Sequence, residues 1–227
     1  MGEAARRSRL AIATPLLAGL AVAATCLAAY AELAEDYALS PRVIAFDAKL
    51  GALILSWRTP SLTVLLSAAT WSANTLTITA LVLAAVAVLV WRCDYREALL
   101  VALIVASGTA LGTIAKRVTE RPRPPATASL VELPPSYAFP SGHTLAALLL
   151  WTVIAFVVLR VAREGWTKAL AIAGGLLVVV LVGTSRVYLG VHWPSDVLAS
   201  WFLGVGWLAL TLGGFLTWER VVGPTAV

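Results

Sequence analysis

The sequence predicts an all-α integral membrane protein, a bundle of six transmembrane helices with a candidate site at the outer helix ends. Three observations predict it. Hydrophobic residues make up 60% of the chain and the mean hydropathy is +0.88. Charged residues are 13%, against roughly 25% in ordinary soluble domains. Apolar stretches at about 10–30, 62–91, 98–115, 144–162, 168–185 and 196–217 each approach or exceed the roughly 20 residues a span needs. They consume most of the 227 residues, so residues 1–227 read as a single membrane domain whose chemistry must come from helix ends and loops.

The first stretch follows Arg6, Arg7 and Arg9, and Ala29-Tyr30-Ala31 has the small-x-small form of a cleavage site. Its apolar core is longer than the 7–15 residues of a signal peptide, so it is expected to be a retained span. Residues 31–60 mix Glu32, Glu35, Asp36, Arg42, Asp47, Lys49 and Arg58 with apolar residues. That pattern fits a helix lying at the outer interface or a connecting loop. The second stretch opens after Thr59-Pro60-Ser61, a helix-start signal, and is long for one crossing. Its first half carries Ser67, Thr70, Ser72, Asn74 and Thr75, which places it inside the bundle near the outer surface. The connection from Arg117 to Pro140 contains Pro122, Pro124, Pro125, Pro134 and Pro135 and reads as rigid and irregular.

The net charge of +5 does not point to nucleic acid, because basic residues in a membrane chain first report topology. With the N-terminus inside, Arg6, Arg7, Arg9, Arg92, Arg96, Arg160, Arg163, Lys168 and Arg220 lie inside, nine in all. Arg42, Lys49, Arg58, Lys116, Arg117, Arg121, Arg123 and Arg186 lie outside, eight in all. Setting aside Lys116, Arg123 and Arg186 as candidate site residues leaves nine against five. The expectation is a multi-pass protein of the plasma membrane with both termini cytoplasmic and the site on the outer face. Cys26 and Cys93 fall near opposite ends of the first two spans, beyond disulfide reach.

The chain has two histidines, and both sit at helix boundaries on the same predicted side. His143 follows Pro140-Ser141-Gly142 at the start of the fourth span, where free backbone N–H groups, a glycine and a hydroxyl favour an anion. Read alone, Ser141 is equally a helix cap. His192 precedes Trp193-Pro194-Ser195-Asp196. A carboxylate four residues on can accept a proton from one ring nitrogen and leave the other nitrogen free to attack; an interfacial histidine beside a helix N-terminal acid has the same appearance. Lys116, Arg123 and Arg186 bring three cations to the outer ends of different helices. Such cations anchor helices at interfaces or balance the charge of a phosphoryl group. Arg117 and Arg121 read as interfacial or headgroup contacts.

Lys116 with Arg123-Pro124 as K-x6-RP, Pro140-Ser141-Gly142-His143 as PSGH, and Ser185-Arg186 with His192 and Asp196 as SR-x5-H-x3-D resemble three signature motifs. They are those of the type 2 phosphatidic acid phosphatase superfamily, and all eleven specified positions match in order. The resemblance spans about 116–196 in motifs and nearly the whole chain in its span pattern. It implies a lipid phosphatase in which His192 attacks phosphorus, Asp196 orients it and His143 protonates the leaving group. It also implies that Lys116, Arg123, Ser141, the Gly142 amide and Arg186 hold the phosphoryl oxygens, with Pro140 and Ser185 supporting. No metal or other cofactor is expected, since Glu120, Glu132 and Asp196 are too sparse near the motifs for a two-metal clamp. Trp193, beside the nucleophile, is placed to touch substrate. Undecaprenyl diphosphate is the leading substrate. Phosphatidylglycerophosphate or phosphatidic acid is the alternative, and a non-catalytic lipid-phosphate binder or transporter is the reading from another class. Vanadium haloperoxidases share the motifs but are soluble.

Overall fold

The computed structural model describes residues 2–37 and 39–223, and among them every regular element is helical. The helices are α1 (Gly2–Asp36), α2 (Pro41–Ser56), α3 (Pro60–Trp71), α4 (Thr75–Trp91), α5 (Tyr95–Thr119), α6 (Gly142–Val161), α7 (Gly165–Tyr188) and α8 (Pro194–Val222). Of these, α1, α5, α6, α7 and α8 are each long and apolar enough to cross a membrane. Leu27, Leu83, Leu99, Leu103, Ile114, Leu170 and Leu176 are exposed, the outward apolar surface a bilayer would cover.

The second predicted span differs from expectation. Residues 62–91 form two helices, because Asn74 ends the run of α3 and caps α4, its side-chain oxygen accepting the Thr77 N–H at 2.7 Å. The apolar α4 has 17 residues, about 25 Å at 1.5 Å per residue, shorter than the five long spans; a sixth candidate span arises if the bent pair α2–α3 is taken as one. The segment expected as an interfacial helix or a loop is α2, paired with α3 at a bend of 118°. Asp47 of α2 binds Ser195 at the start of α8, and Thr70 of α3 binds Arg186 at the end of α7. Both arms of the α2–α3 hairpin are thus held at one end of the bundle. Of the polar residues in the first half of the second stretch, Thr70 is buried and Ser67, Ser72 and Asn74 are half-buried, whereas Thr75 is exposed.

The main core joins α4, α5, α6 and α8 through Ile78, Val101, Ile104, Leu145, Leu149, Val153 and Leu203. A second cluster, Ile54, Leu66, Val187, Tyr188, Leu189, Val191 and Val197, fastens the hairpin to the α7–α8 turn. Tyr188 is fully buried and its hydroxyl meets Thr63 Oγ1 at 2.8 Å and the Thr59 N–H at 3.0 Å. The Arg58 guanidinium donates to the carbonyls of Tyr188 and Ala128 at 2.8 and 2.7 Å. Along the other side α1 lies against α8, with Gly19 facing the Ala209 carbonyl and Gly213 facing that of Pro15, so close that a Cβ at either would collide with backbone. Cys26 and Cys93 are free thiols.

Candidate active site

The site forms where four helix ends meet, those of α5 and α7 and the starts of α6 and α8. The α5 helix stops at Glu120, whose left-handed φ of 48° turns the chain into the proline-rich connection. That connection is irregular apart from a short 3-10 turn at Ala126–Ala128. It is tied back by the Ala138 N–H to the Arg121 carbonyl at 2.9 Å and by the Leu130 N–H to the Leu189 carbonyl at 2.9 Å. The chain then enters α6 through Pro140 and Ser141. Between α7 and α8, Gly190 at φ 76° allows the tight turn that delivers His192; a Cβ there would strike the Ala128 carbonyl.

His192 is buried, with Nδ1 3.1 Å from Asp196 Oδ2 and Nε2 3.2 Å from Arg123 Nη1. A guanidinium only donates, so Nε2 accepts and the proton lies on Nδ1, facing the carboxylate. Burial, then the charges of Arg186, Lys116 and Arg123, hold the His192 pKa well below its ordinary value. The imidazole is therefore neutral, with its free lone pair aimed at Arg123. Asp196 is fully buried; its Oδ2 also accepts the Trp193 N–H at 2.9 Å, an N-terminal cap for α8.

A cavity of about 800 Å³ collects His192, His143, Lys116, Arg123, Gly142 and Arg186 in its wall. The half-buried His143 lines it, and among the described residues its ring has no hydrogen-bond partner. Lys116 Nζ donates to the carbonyls of Tyr137 and Ala138 at 2.7 and 3.3 Å. Arg123 also donates to the carbonyls of Ser136 and Val191 at 2.7 and 2.8 Å. Arg186 reaches Thr70 Oγ1 at 2.6 Å, while its buried Nε has no partner. A buried guanidinium donor without an acceptor is costly.

The remaining predicted residues lie behind this wall. Ser141 is fully buried, and its hydroxyl accepts from Thr144 Oγ1 at 3.0 Å. Its N–H donates to the Asp196 carbonyl at 3.2 Å. Ser185 donates to the Val182 carbonyl at 2.7 Å within α7, and Pro140 is buried. Trp193 turns away from the cavity and donates to the Pro122 carbonyl at 3.2 Å, which corrects the expectation that it meets substrate.

Arg121 is the larger correction. Expected as an interfacial contact, it is 5% exposed. Its Nη1 donates to Asp196 Oδ1 and Ser195 Oγ, each at 2.7 Å, and its Nη2 to Asp47 Oδ2 at 2.6 Å. Its guanidinium lies over the rings of Tyr37 and Trp193 at 4.9 and 5.6 Å. Asp47 in turn accepts the Ser195 N–H at 2.8 Å and its hydroxyl at 2.6 Å. The doubled Arg-Pro of Arg121-Pro122-Arg123-Pro124 was a legible hint of Arg121; nothing marked Asp47 as different from the other acids of residues 31–60. Arg117, by contrast, is exposed as expected.

Residues 97–220 match the family model of the PAP2 superfamily. The chain belongs to the PAP2 superfamily. This PAP2 chain is 38% identical over 103 residues to the undecaprenyl-diphosphatase of Sulfolobus acidocaldarius, covering 44% of this chain and 45% of that protein. It is 36% identical over 111 residues to phosphatidylglycerophosphatase B of Bacillus subtilis, covering 48% and 53%. Over 113 residues it is 34% identical to the decaprenylphosphoryl-5-phosphoribose phosphatase of Mycobacterium tuberculosis, covering 46% and 55%. The PAP2 chain thus spans about half the length of the curated relatives it matches. The fold resembles the crystal structure of a transmembrane PAP2 type phosphatidylglycerolphosphate phosphatase from Bacillus subtilis, with a TM-score of 0.79 and 26% identity over 90% of this chain and 98% of that one. Aquifex aeolicus LpxE is similar at a TM-score of 0.53 and 26% identity, over 76% and 94%.

Proposed function

We propose that this chain is a membrane lipid phosphatase that works through a phosphohistidine. The observation that carries the reading is the course of the cavity. From the histidines and cations it continues between α4 and α5, along Ile78, Val82 and Leu83 on one side and Ala102, Val105 and Ala106 on the other. Ala102 to Lys116 is about 20 Å of helix, most of the roughly 30 Å apolar layer. One cavity therefore offers an anion pocket at its head and an apolar furrow for a tail.

Substrate displaces the Arg123 contact, and that guanidinium joins Lys116 and Arg186 around the phosphoryl oxygens. His192 Nε2 attacks phosphorus, forming an N–P bond while the bond to the leaving oxygen breaks. Asp196 holds the Nδ1 proton and stabilises the ring as it gains charge. His143 donates a proton to the leaving oxygen, then takes one from the water that attacks the phosphohistidine. Lipid alcohol or lipid monophosphate departs first and inorganic phosphate second. Three cations lining the pocket repel a metal ion, so the reaction is metal-independent.

Undecaprenyl diphosphate is the leading substrate, supported by the similarity to a protein named undecaprenyl-diphosphatase. Phosphatidylglycerophosphate is the second reading, supported by the TM-score of 0.79 to a phosphatase of that lipid. The nine-to-five bias of basic residues supports cytoplasmic termini and a site on the outer face of the plasma membrane. The test is phosphate release in detergent with EDTA, comparing undecaprenyl diphosphate, phosphatidylglycerophosphate and phosphatidic acid. Release by wild type and none by His192→Ala supports the phosphatase and ranks its lipids. No release from any lipid by well-folded wild type turns the reading to a binder or transporter.

A further inference from the structure

We infer that Asp47 and Arg121 are positioning residues for phosphate transfer, acting through Asp196 to fix the tautomer of His192. The inference rests on the phosphatase reading above. Neither side chain lines the site cavity, so neither touches the phosphoryl group. Both are buried, at 4% and 5% exposure, and they form a continuous chain from Asp47 through Arg121 and Asp196 to His192.

Each link has a physical task. Asp196 is fully buried, and an isolated carboxylate there would take up a proton. Arg121, bound to Oδ1 at 2.7 Å, keeps it ionised and leaves Oδ2 to accept from His192 Nδ1. Asp47 holds the other arm of the guanidinium at 2.6 Å and also fixes Ser195, which contacts the same Nη1. The Tyr37 and Trp193 rings limit the remaining freedom of the guanidinium. With Asp47 neutral, Arg121 loses one anchor and its full charge falls on Asp196. That weakens the acceptance of the Nδ1 proton and lets the proton move to Nε2, where it blocks attack. Asp47 lies on α2, far from the 116–196 motif region, so the α2–α3 hairpin becomes part of the apparatus that orients the nucleophile.

The test is a double-mutant cycle with Asp47→Asn and Asp196→Asn, assayed on whichever lipid wild type hydrolyses best. Asp47→Asn alone should lower kcat about 10- to 100-fold, the range seen for outer-shell partners of ligand histidines, with KM nearly unchanged. In the Asp196→Asn background the same substitution should have almost no further effect. Multiplied losses, or an unchanged kcat, overturn the inference. Should Asp47→Asn aggregate, Arg121→Lys runs the same cycle, since it keeps the charge and loses the fork. A second readout needs no turnover: in ¹⁵N-histidine-labelled His143→Gln protein, His192 should show the Nδ1-H tautomer. That signal should shift toward Nε2-H when Asp47→Asn or Arg121→Lys is added; an unshifted signal also overturns the inference. A wild type inactive on every lipid sinks the phosphatase reading instead, and the tautomer experiment still decides this one.

Discussion

Arg123 Nη1 lies 3.2 Å from Nε2 of His192, so the guanidinium covers the lone pair that attacks phosphorus in the proposed reaction. The same residue thus covers the nucleophile, and in the proposed reaction it swings to the phosphoryl oxygens. Arg123→Ala is expected to lower kcat about 100- to 1000-fold, the usual cost of deleting one preorganised donor. It should also raise the His192 pKa, because a nearby cation disfavours the protonated ring and its removal relieves that. Kinetics measure the first effect and ¹⁵N titration the second.

His192 itself titrates low. Burial and its three cationic neighbours disfavour the charged ring, so Nε2 should stay unprotonated at pH values below the ordinary imidazole range. A depressed folded pKa contributes stability that is full above the unfolded value and is lost as pH falls through the folded one. With two histidines in the chain, His143→Gln leaves one signal, which should remain that of a neutral ring at pH 6. Adding phosphate or vanadate should raise its pKa by offsetting the cations.

Removing the nucleophile or its orienting acid separates two effects. His192→Ala should abolish phosphate release. Asp196→Asn should retain the nitrogen but lose the acceptor, with a fall in kcat of about 10⁴, as for the orienting aspartate of serine proteases. Single-turnover assays with ³²P-labelled lipid should trap label on protein in wild type only.

The furrow between α4 and α5 predicts a dependence on chain length. Ala106 lines it, and Ala106→Trp should fill it. Losing contact with about two methylenes, near 0.8 kcal/mol each, raises KM about tenfold for a long-chain lipid. A soluble phosphate ester without a tail should be hydrolysed as before. Equal effects on both would show that the tail does not lie there.

Thr70 gives a prediction for stability. Its hydroxyl accepts from Arg186 at 2.6 Å in a buried setting, so Thr70→Val leaves a second unpaired donor on that guanidinium. The cost is about 1–3 kcal/mol, read as a lower unfolding temperature in detergent. Saturating phosphate should return part of it by supplying an acceptor.

The membrane helices and the site wall were legible because each rests on a local signal. Apolar runs mark α5 to α8, and Lys116, Arg123, His143, Arg186 and His192 all reach one cavity. The break at Asn74 was harder to read, since hydropathy averages over the short polar interval between α3 and α4. Asp47 was invisible for a different reason: its importance comes from meeting Arg121, 74 residues away in sequence. Nothing local distinguishes an acid destined for burial from Glu32 or Glu35. Trp193 had the right neighbours and the wrong direction, since the α8 cap turns its ring toward Arg121.

The cavity joins a cationic head to an apolar furrow between α4 and α5, so in the proposed reaction the two products part into different phases. Phosphate is diluted into bulk solvent, whereas the dephosphorylated lipid remains in the plane where the next substrate diffuses. Turnover then follows the mole fractions of substrate and lipid product in the bilayer, and adding inert lipid slows the protein as dilution slows a soluble one.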